Sequence, residues 1–411
     1  EMYSIGIEAG LVRDVKKSVK NIDGKLYRAL DGVNRSLLAF KRECDEFAVY
    51  ESVGGLIFQL MRAVTEFDGF LRDVLPKKKD FTNTENLFQL YFDIRYFLVI
   101  SEALDERYRI CGSYTERGEF CLTLKCMDPS HMLKEYLDKV KSAVFFSATL
   151  LPVKYYMQQL GANEDDYAVY AESSFDIKNQ LVLAARDVST KYTRRTMEEY
   201  IRIIGYIKEF VAAKRGNYLI FFTSYKMLND IYSLMSQDEY VYIVQHENMS
   251  EEEREEFLES FNVTDDVTKL GLCVLGGVFG EGIDLQNDRL IGTVIVGTGL
   301  PMVGDERELF RYYYDEANGK GFEYAYLYPG MNKVLQAAGR VIRTASDRGC
   351  ILLLDDRFVT KQYACLFPRE WRHMKYIRFN EMKPLLDEFW SEEINIEEND
   401  KGEDVYGNTT H

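Results

Sequence analysis

The sequence predicts an α/β fold with a doubly wound parallel β-sheet, and two observations support it. From about residue 165 onward, short apolar runs alternate with amphipathic helical segments. A run that is apolar at every position is typical of a strand buried on both faces, and strands separated by helices pair in parallel. The predicted strands are LVLAA, YLIFF, VYIV, LCVLGG, TVIV, YAYLYP and CILLL. Ligands of such sheets bind at the carboxyl ends of the strands, so the residues after each run are the first candidates for function.

The segments between these strands have the apolar spacing of helices. They are MEEYIRIIGYIKEFVAAK, MLNDIYSLM and SEEEREEFLESF. In the last of them Ser250 and Glu253 are three residues apart, which is the pattern of a capping box at a helix N-terminus.

The N-terminal quarter of the chain has a different pattern. Apolar residues recur every three or four positions in three stretches, which predicts an all-helical unit over residues 1–107. Alternating apolar and polar residues from Phe120 to Cys126 then predict a hairpin strand, and the apolar run AVFFSATLLP follows at 143–152.

Composition indicates a globular protein without a membrane span. Of the 411 residues, 46% are hydrophobic and 29% are charged, and no apolar run approaches the ~18 residues of a transmembrane helix. The N-terminal residues lack the pattern of a signal peptide, so we expect an intracellular protein. The net charge of −16 argues against a general nucleic-acid binder, although it does not exclude a locally basic groove.

The cysteines suggest reduced thiols rather than a metal site. Cysteines that are isolated in helical or strand-like surroundings are expected to be core residues. These are Cys44, Cys273, Cys350 and Cys365. Three others lie closer together without a fourth neighbour, so we do not expect an iron–sulfur cluster. These are Cys111, Cys121 and Cys126. The four histidines form no HxH or HExxH pair, and we predict no metal site in this chain.

Two segments with possible binding roles follow predicted strands. GGVFGEGIDL (Gly276–Leu285) contains four glycines, whose backbone N–H groups can approach a phosphate, and Asp284, which can hold a ribose hydroxyl. On its own this pattern also fits an ordinary glycine-rich loop. FFTSY ends with Thr223, Ser224 and Tyr225, whose hydroxyls either bind a nucleic-acid backbone or cap the next helix.

The most distinctive stretch is LQAAGRVIRTASDRGCILLLDDRF, from Leu335 to Phe358. If NKVLQAAGRVIRTA is helical, Gln336, Arg340 and Arg343 share one face, and the apolar residues line another. Two guanidinium groups among small residues suit a polyphosphate. The alternative is a pair of structural arginines that bridge to nearby carboxylates.

Together these motifs resemble superfamily 2 helicases of the XPD/DinG type. FFSATLLP, LIFFTSY, GGVFGEGIDL and QAAGRVIRTASDRGCILLLDDRF are similar in order and spacing to motifs III, IV, V and VI of that family. The resemblance implies a RecA-like lobe of the P-loop NTPase type over 166–390, the end of a first motor lobe over 108–165, and an Arch-like helical domain over 1–107. Residues 391–411 are predicted to be an acidic tail.

The chain lacks two motifs that such an enzyme needs for nucleotide binding. It contains no GxxxxGK[ST] and no DEAH. YDEANGKG (314–321) shares some of their letters, but it lies downstream of the motif V-like segment and not at a strand end of a first motor lobe, so we interpret it as a polar surface loop. The resemblance therefore implies the C-terminal part of an ATP-dependent DNA helicase, inactive by itself. ATP and Mg²⁺ would be bound mainly by an N-terminal motor lobe of the same protein.

The resemblance also assigns roles to individual residues. Arg343 and Arg340 would reach the γ-phosphate as arginine fingers, and Gln336 would sense the nucleotide or the attacking water. Nucleotide contacts would come from Gly282, Asp284 and Gly339. Coupling of hydrolysis to lobe movement would involve Ser147, Ala148 and Thr149. DNA phosphates would be contacted by Thr223, Ser224, Gly276 and Gly277.

The implied partners are single-stranded and forked DNA, with a monomeric protein of the bacterial cytoplasm and 5′-to-3′ translocation. Two alternatives remain at this point. One is a non-catalytic DNA-binding or scaffold module derived from a motor lobe, and the other is a helicase that acts on RNA.

Overall fold

The computed structural model describes residues 3–78, 80–163, 165–173, 175–235, 240–261, 267–280, 290–344 and 346–391. The chain forms two compact units. The first contains Glu1–Ala168 and Val303–Ala325, and the second contains Val169–Met302 and Tyr326–His411. The lobe boundary predicted at residue 165 stays a prediction, and the first unit also includes a later segment.

The α-helices and β-strands are numbered along the chain. The helices are α1 (Ala9–Val19), α2 (Gly24–Arg42), α3 (Leu56–Gly69), α4 (Thr84–Glu102), α5 (Ser130–Leu137), α6 (Val153–Gln159), α7 (Met197–Ala212), α8 (Tyr225–Tyr232), α9 (Glu251–Glu259), α10 (Asp305–Asn318), α11 (Tyr328–Ala338), α12 (Lys361–Ala364) and α13 (Phe379–Ser391). The strands are β1 (Ile5–Glu8), β2 (Phe47–Tyr50), β3 (Tyr108–Tyr114), β4 (Phe120–Cys126), β5 (Gln180–Ala185), β6 (Asn217–Phe222), β7 (Val241–Val244), β8 (Lys269–Val274), β9 (Gly292–Val296), β10 (Gly349–Leu354) and β11 (Lys375–Ile377).

The first unit packs α1, α2, α3 and α4 on an antiparallel sheet of order β1-β4-β3-β2. The prediction of an all-helical unit over 1–107 is therefore wrong, because β1 and β2 lie within it and the β3–β4 hairpin completes their sheet. The two missed strands have four residues each, too few to produce a detectable alternation. Their pairing partners also lie far along the chain, as in the pairing of Ile5 with Leu124.

Helix α10 belongs to the first unit. The Tyr314 hydroxyl donates to the Met127 carbonyl (3.1 Å) and accepts from Gln159 Nε2 (2.7 Å). The predicted surface loop at 314–321 is therefore wrong in its first half, where the chain forms the last turn of α10. Gly319 ends this helix in the left-handed conformation, with φ of 69°.

The second unit is built on a seven-stranded sheet of order β11-β5-β10-β9-β6-β8-β7, in which every neighbouring pair is parallel. Both faces of the sheet are covered. Along β10 every residue from Ile351 to Leu354 is fully buried, although successive side chains point to opposite faces. The predicted parallel α/β sheet is confirmed.

One predicted strand of this sheet is a helix. YAYLYP (324–329) lies in a π-helical turn, Glu323–Leu327, which leads into α11 with Pro329 in its first turn. Proline is tolerated there because the first N–H groups of a helix have no intrahelical partner. The strand that the sequence did not predict is β11, which has only three residues and pairs with β5.

The cysteines are all free thiols, and Cys44, Cys273 and Cys350 are buried as predicted. Cys111 and Cys126 are also buried, and Cys121 is half-buried. Cys365 is exposed, which contradicts its assignment to the core; it follows the short helix α12 and its thiol donates to the Gln362 carbonyl. Of the predicted acidic tail, only Ser391 lies within the described residues.

Candidate functional site

The carboxyl ends of the seven parallel strands lie along one edge of the second-unit sheet, and four of the predicted DNA-contacting residues lie there. Thr223 and Ser224 follow β6, and Gly276 and Gly277 come just after β8. Strands β6 and β8 are neighbours, with Phe222 opposite Val274. The parallel register therefore brings the two segments together.

The hydroxyl of Ser224 has a structural role at this edge. Ser224 Oγ accepts from the N–H of Met227 (3.2 Å), so it caps α8. Thr223 is half-buried, and its methyl group would lie 2.6 Å from a Cβ added to Gly297, at the end of β9. The capping interpretation of the FFTSY motif is confirmed for Ser224, and this contact does not test its predicted role toward DNA.

The segment after β8 forms a tight glycine turn. Gly277 N donates to the Val274 carbonyl (3.0 Å), and Gly280 N donates to the Gly277 carbonyl (2.8 Å). Gly276 has φ of 73°, and a Cβ added to it would lie 2.7 Å from Lys333 Cε on α11. The positive φ of Gly276 favours glycine at this position, and the flexible side chain of Lys333 on α11 lies against it. Gly282 and Asp284, which were predicted to contact the nucleotide, lie outside the described residues.

Gln245, at the end of β7, joins the two segments and was not predicted. Its side chain is 2% exposed. Oε1 accepts from Val274 N (2.8 Å), and Nε2 donates to the Tyr225 hydroxyl (2.9 Å). A glutamine that directly follows the run VYIV was the signal in the sequence, since polar residues at strand ends of parallel sheets face the ligand edge.

The predicted arginine-bearing helix ends earlier than expected. Helix α11 stops at Ala338, and Gly339 is its C-cap, so only Gln336 of the three predicted catalytic residues is helical. Arg340 lies in the turn that follows and donates from Nη2 to the Gly280 carbonyl (2.6 Å). The i, i+4, i+7 face is therefore not formed, although Arg340 does contact the glycine-rich segment.

A buried aspartate explains why the helix does not continue to Arg343. Asp347 is 5% exposed, and its Oδ2 accepts from the N–H groups of Arg343 (2.7 Å) and Thr344 (2.8 Å). Its Oδ1 accepts from the Thr344 hydroxyl (2.7 Å). These backbone groups are bound by a side chain instead of by helical carbonyls, which is the usual way that aspartate competes with a helix. Asp347 therefore positions the backbone of Arg343.

The three predicted coupling residues lie in the first unit, in a segment without regular secondary structure. Ser147 and Ala148 are exposed and Thr149 is half-buried. The Ser147 hydroxyl accepts from Thr149 N (3.3 Å). Before them, the side chains of Val144 and Phe146 are 82% and 89% exposed.

A buried polar network lies at the ends of β5 and β10. Asp355 is fully buried and accepts from Arg357 through Nε (2.7 Å) and Nη2 (2.9 Å). It also accepts from the N–H of Thr190 (2.9 Å) and from the Thr190 hydroxyl. Burial alone would raise the pKa of Asp355, but the hydrogen bonds and charge of Arg357 outweigh it and hold this pKa below its usual value. The DDRF motif thus fixes the loop after β5.

Two further properties concern the described residues alone. They contain no group of three or more His, Cys, Asp or Glu side chains arranged to hold a metal ion. None of the helices found among them has the length and apolar character required to span a bilayer.

Comparison with known proteins agrees with this geometry. Residues 207–374 match a family model described as the helicase C-terminal domain. The 3'-5' exonuclease DinG of Staphylococcus saprophyticus is 25% identical over 344 residues, which cover 80% of this chain and 36% of that protein. The protein of the same name from Staphylococcus epidermidis is 28% identical over 280 residues, covering 64% of this chain and 29% of the relative. The chain spans about a third of the length of these curated relatives.

Solved XPD structures have a similar fold. The structure described as XPD_Helicase aligns with a TM-score of 0.55 at 21% identity, and covers 92% of this chain and 65% of its own. The structure of S. tokodaii Xpd4 aligns with a TM-score of 0.56 at 15% identity, and covers 91% of this chain and 72% of its own.

The glycine-rich and hydroxyl-rich segments at the strand ends and the arginine-bearing segment before β10 all lie within residues 207–374, the range that matches the helicase C-terminal domain. The chain is thus similar in sequence to the DinG proteins and similar in fold to the solved XPD structures.

The Asp355 network provides a test of how the site is held. We expect Asp355→Ala to lower the free energy of unfolding of the second unit by about 3–5 kcal/mol, because Arg357 would remain buried without its carboxylate. Urea unfolding followed by tryptophan fluorescence measures this directly, since Trp371 and Trp390 are the only tryptophans and both belong to the second unit.

The control is Asp356→Ala, which removes a partly exposed carboxylate and should cost about 1 kcal/mol or less. The pKa of Asp355 is lowered by folding, so its contribution is complete above the unfolded-state pKa of about 3.9 and is lost as pH falls through the folded-state value. Equal effects of the two substitutions at pH 7 would contradict this account.

Proposed function

We propose that this chain is the C-terminal part of an ATP-dependent DNA helicase that couples ATP hydrolysis to translocation on single-stranded DNA and unwinding of forked duplexes. The observation that supports it most is the hydrogen bond from Arg340 to the Gly280 carbonyl. It joins the arginine-bearing segment to the glycine turn after β8. The segment proposed to contact nucleotide is thereby linked to the segment proposed to contact DNA.

In this proposal Arg343 and Arg340 stabilise the charge that develops on the γ-phosphoryl group, and Gln336 senses the nucleotide or the attacking water. Gly282, Asp284 and Gly339 border the nucleotide. ATP and its Mg²⁺ are bound mainly by an N-terminal lobe, since GxxxxGK[ST] and DEAH do not occur in this sequence. DNA phosphates are bound by Thr223, Ser224, Gly276 and Gly277.

The exposed apolar run before Ser147 supports the proposal that the partner of this chain is a motor lobe of the same protein. Val144, Phe145 and Phe146 are each about half or more exposed and lack regular structure. Exposed apolar surface of this kind marks a site of association. We propose that this run completes the N-terminal motor lobe, and that Ser147, Ala148 and Thr149 then transmit its movements.

Replacement of Arg343 tests whether it acts as an arginine finger. In the full-length protein, Arg343→Ala should reduce DNA-stimulated ATP turnover by about 10³-fold or more, because the transition-state charge loses a fixed cation. A steady-state phosphate-release assay measures kcat. Arg348→Ala is the matched control. Its guanidinium packs on Phe389 (4.4 Å) and is not assigned a catalytic role. A turnover of Arg343→Ala within a few-fold of wild type would contradict the proposal.

The isolated chain should hydrolyse ATP at no more than background rate, with or without single-stranded DNA, because the phosphate-binding loop is missing from it. The assay uses purified chain and oligo-dT, with the full-length protein as the positive control. Robust hydrolysis by the chain alone would mean that its nucleotide site is complete. Normal DNA binding by a full-length protein without ATPase activity would favour the scaffold alternative.

A further inference from the structure

We infer that Gln245 is a positioning residue for ATP turnover, which acts on Arg340 through the glycine turn after β8 (276–280); this rests on the proposed function. Gln245 directly follows β7, and its side chain is 2% exposed. The proposed function assigns it no contact with nucleotide or with DNA. Its effect on the reaction therefore has to pass through the main chain that its side chain holds.

The side chain of Gln245 extends the hydrogen-bond ladder of the sheet beyond the end of β7. The last pair of β7 and β8 is Val244 with Leu272, and Gln245 N donates to the Leu272 carbonyl (2.9 Å). In a continued parallel ladder the N–H of Val274 would donate to the main-chain carbonyl of Gln245. It donates instead to the side-chain oxygen Oε1 (2.8 Å). The side-chain amide thus takes the place of a peptide group.

The orientation of this amide is determined by its partners. A main-chain N–H can only donate, so the amide oxygen faces Val274 and the amide nitrogen faces the Tyr225 hydroxyl. Nε2 donates to that hydroxyl over 2.9 Å. Gln245 therefore joins the end of β8 to the first residue of α8. A displacement of this buried amide is costly, because it would leave polar groups without partners.

A series of hydrogen bonds leads from Gln245 to Arg340. Val274 N donates to Gln245 Oε1, and the Val274 carbonyl accepts from Gly277 N (3.0 Å). The Gly277 carbonyl accepts from Gly280 N (2.8 Å), and the Gly280 carbonyl accepts from Arg340 Nη2 (2.6 Å). The amide also lies directly against the turn, since a Cβ added to Gly277 would be 2.9 Å from Gln245 Nε2. The position of the Gly280 carbonyl therefore depends on Gln245.

A second contact holds the far end of the turn, and it limits the effect to be expected from Gln245. Phe279 is 2% exposed, and its ring stacks on Phe257 of α9 with the ring centroids 4.1 Å apart. Removal of the Gln245 amide should therefore shift the Gly280 carbonyl and leave the turn folded. Substitutions along a network of this kind change the coupling between its ends by about 2- to 30-fold.

The test measures ATP turnover of the full-length protein at saturating oligo-dT. Gln245→Met removes both hydrogen bonds of the amide at nearly constant volume, and Tyr225→Phe removes only the second. We expect kcat to fall about 2- to 30-fold for Gln245→Met and less for Tyr225→Phe, with KM for ATP changed by less than about two-fold, because the loss is confined to the transition state. Gln245→Glu should keep most of the turnover, since its carboxylate accepts from Val274 N and from the Tyr225 hydroxyl.

A double-mutant cycle separates an action through Arg340 from a general loss of stability. In an Arg340→Ala background, Gln245→Met should lower the single-turnover rate by less than about two-fold, because the group that it positions is absent. A loss equal to that in the wild-type background would overturn this inference alone. Wild-type turnover of Arg340→Ala itself would overturn the proposed role of Arg340 as well.

The matched control is Thr293→Val, which removes another buried hydrogen bond from the same sheet. Thr293 is fully buried near the amino end of β9, and its hydroxyl donates to the Leu219 carbonyl (3.0 Å). Thr293→Val should lower the urea midpoint about as much as Gln245→Met and leave kcat unchanged, because both leave a buried polar group unsatisfied but only one lies beside the turn. Unchanged kcat for Gln245→Met, or an equal loss for Thr293→Val, would contradict the positioning role.

Discussion

Parallel pairing of the strands in the second unit is the constraint on which the candidate site depends. Each strand must return to the same end of the sheet before the next begins, so every segment that leaves a carboxyl end does so at one edge. The register then brings distant segments together, since Phe222 is opposite both Val274 and Val296. The site is therefore assembled from short segments whose shared property is their position after a buried strand.

Buried polar groups keep this edge in one conformation. Asp355 binds the loop after β5, Gln245 joins the end of β8 to the start of α8, and Asp347 binds the backbone of Arg343. A carboxylate or amide that is nearly or fully buried must have its partners satisfied, so each loop conformation that breaks these bonds is costly. Close packing adds to this at Gly297, whose φ of 98° and short distances to neighbouring side chains exclude other residues.

The parallel sheet was predictable because continuous apolar runs are a strong signal of buried strands. The prediction was wrong where an apolar run belonged to a helix. YAYLYP is as apolar as a strand, but the buried residues that follow it, among them Met331, Val334 and Ala338, have helical spacing and extend the helix backward into it. The strands β1 and β2 are set by tertiary pairing that a local window does not contain. The segments that form the candidate site were predictable from the sequence. The contacts that position them, such as those of Gln245 and Asp347, depend on the folded chain and were not.

The end of α11 at Ala338 changes how the two proposed activities communicate. Arginines on a helix packed into the core would keep their positions whatever happened at the strand ends. Here Arg340 is bound to the Gly280 carbonyl, and the turn that contains Gly280 begins at Gly276, directly against Lys333 of α11. In the proposed mechanism, a shift of this glycine turn on DNA binding alters the hydrogen bond that holds Arg340. Nucleotide affinity is then sensitive to DNA through this contact between main chain and guanidinium, and DNA affinity must respond to nucleotide by the same coupling free energy.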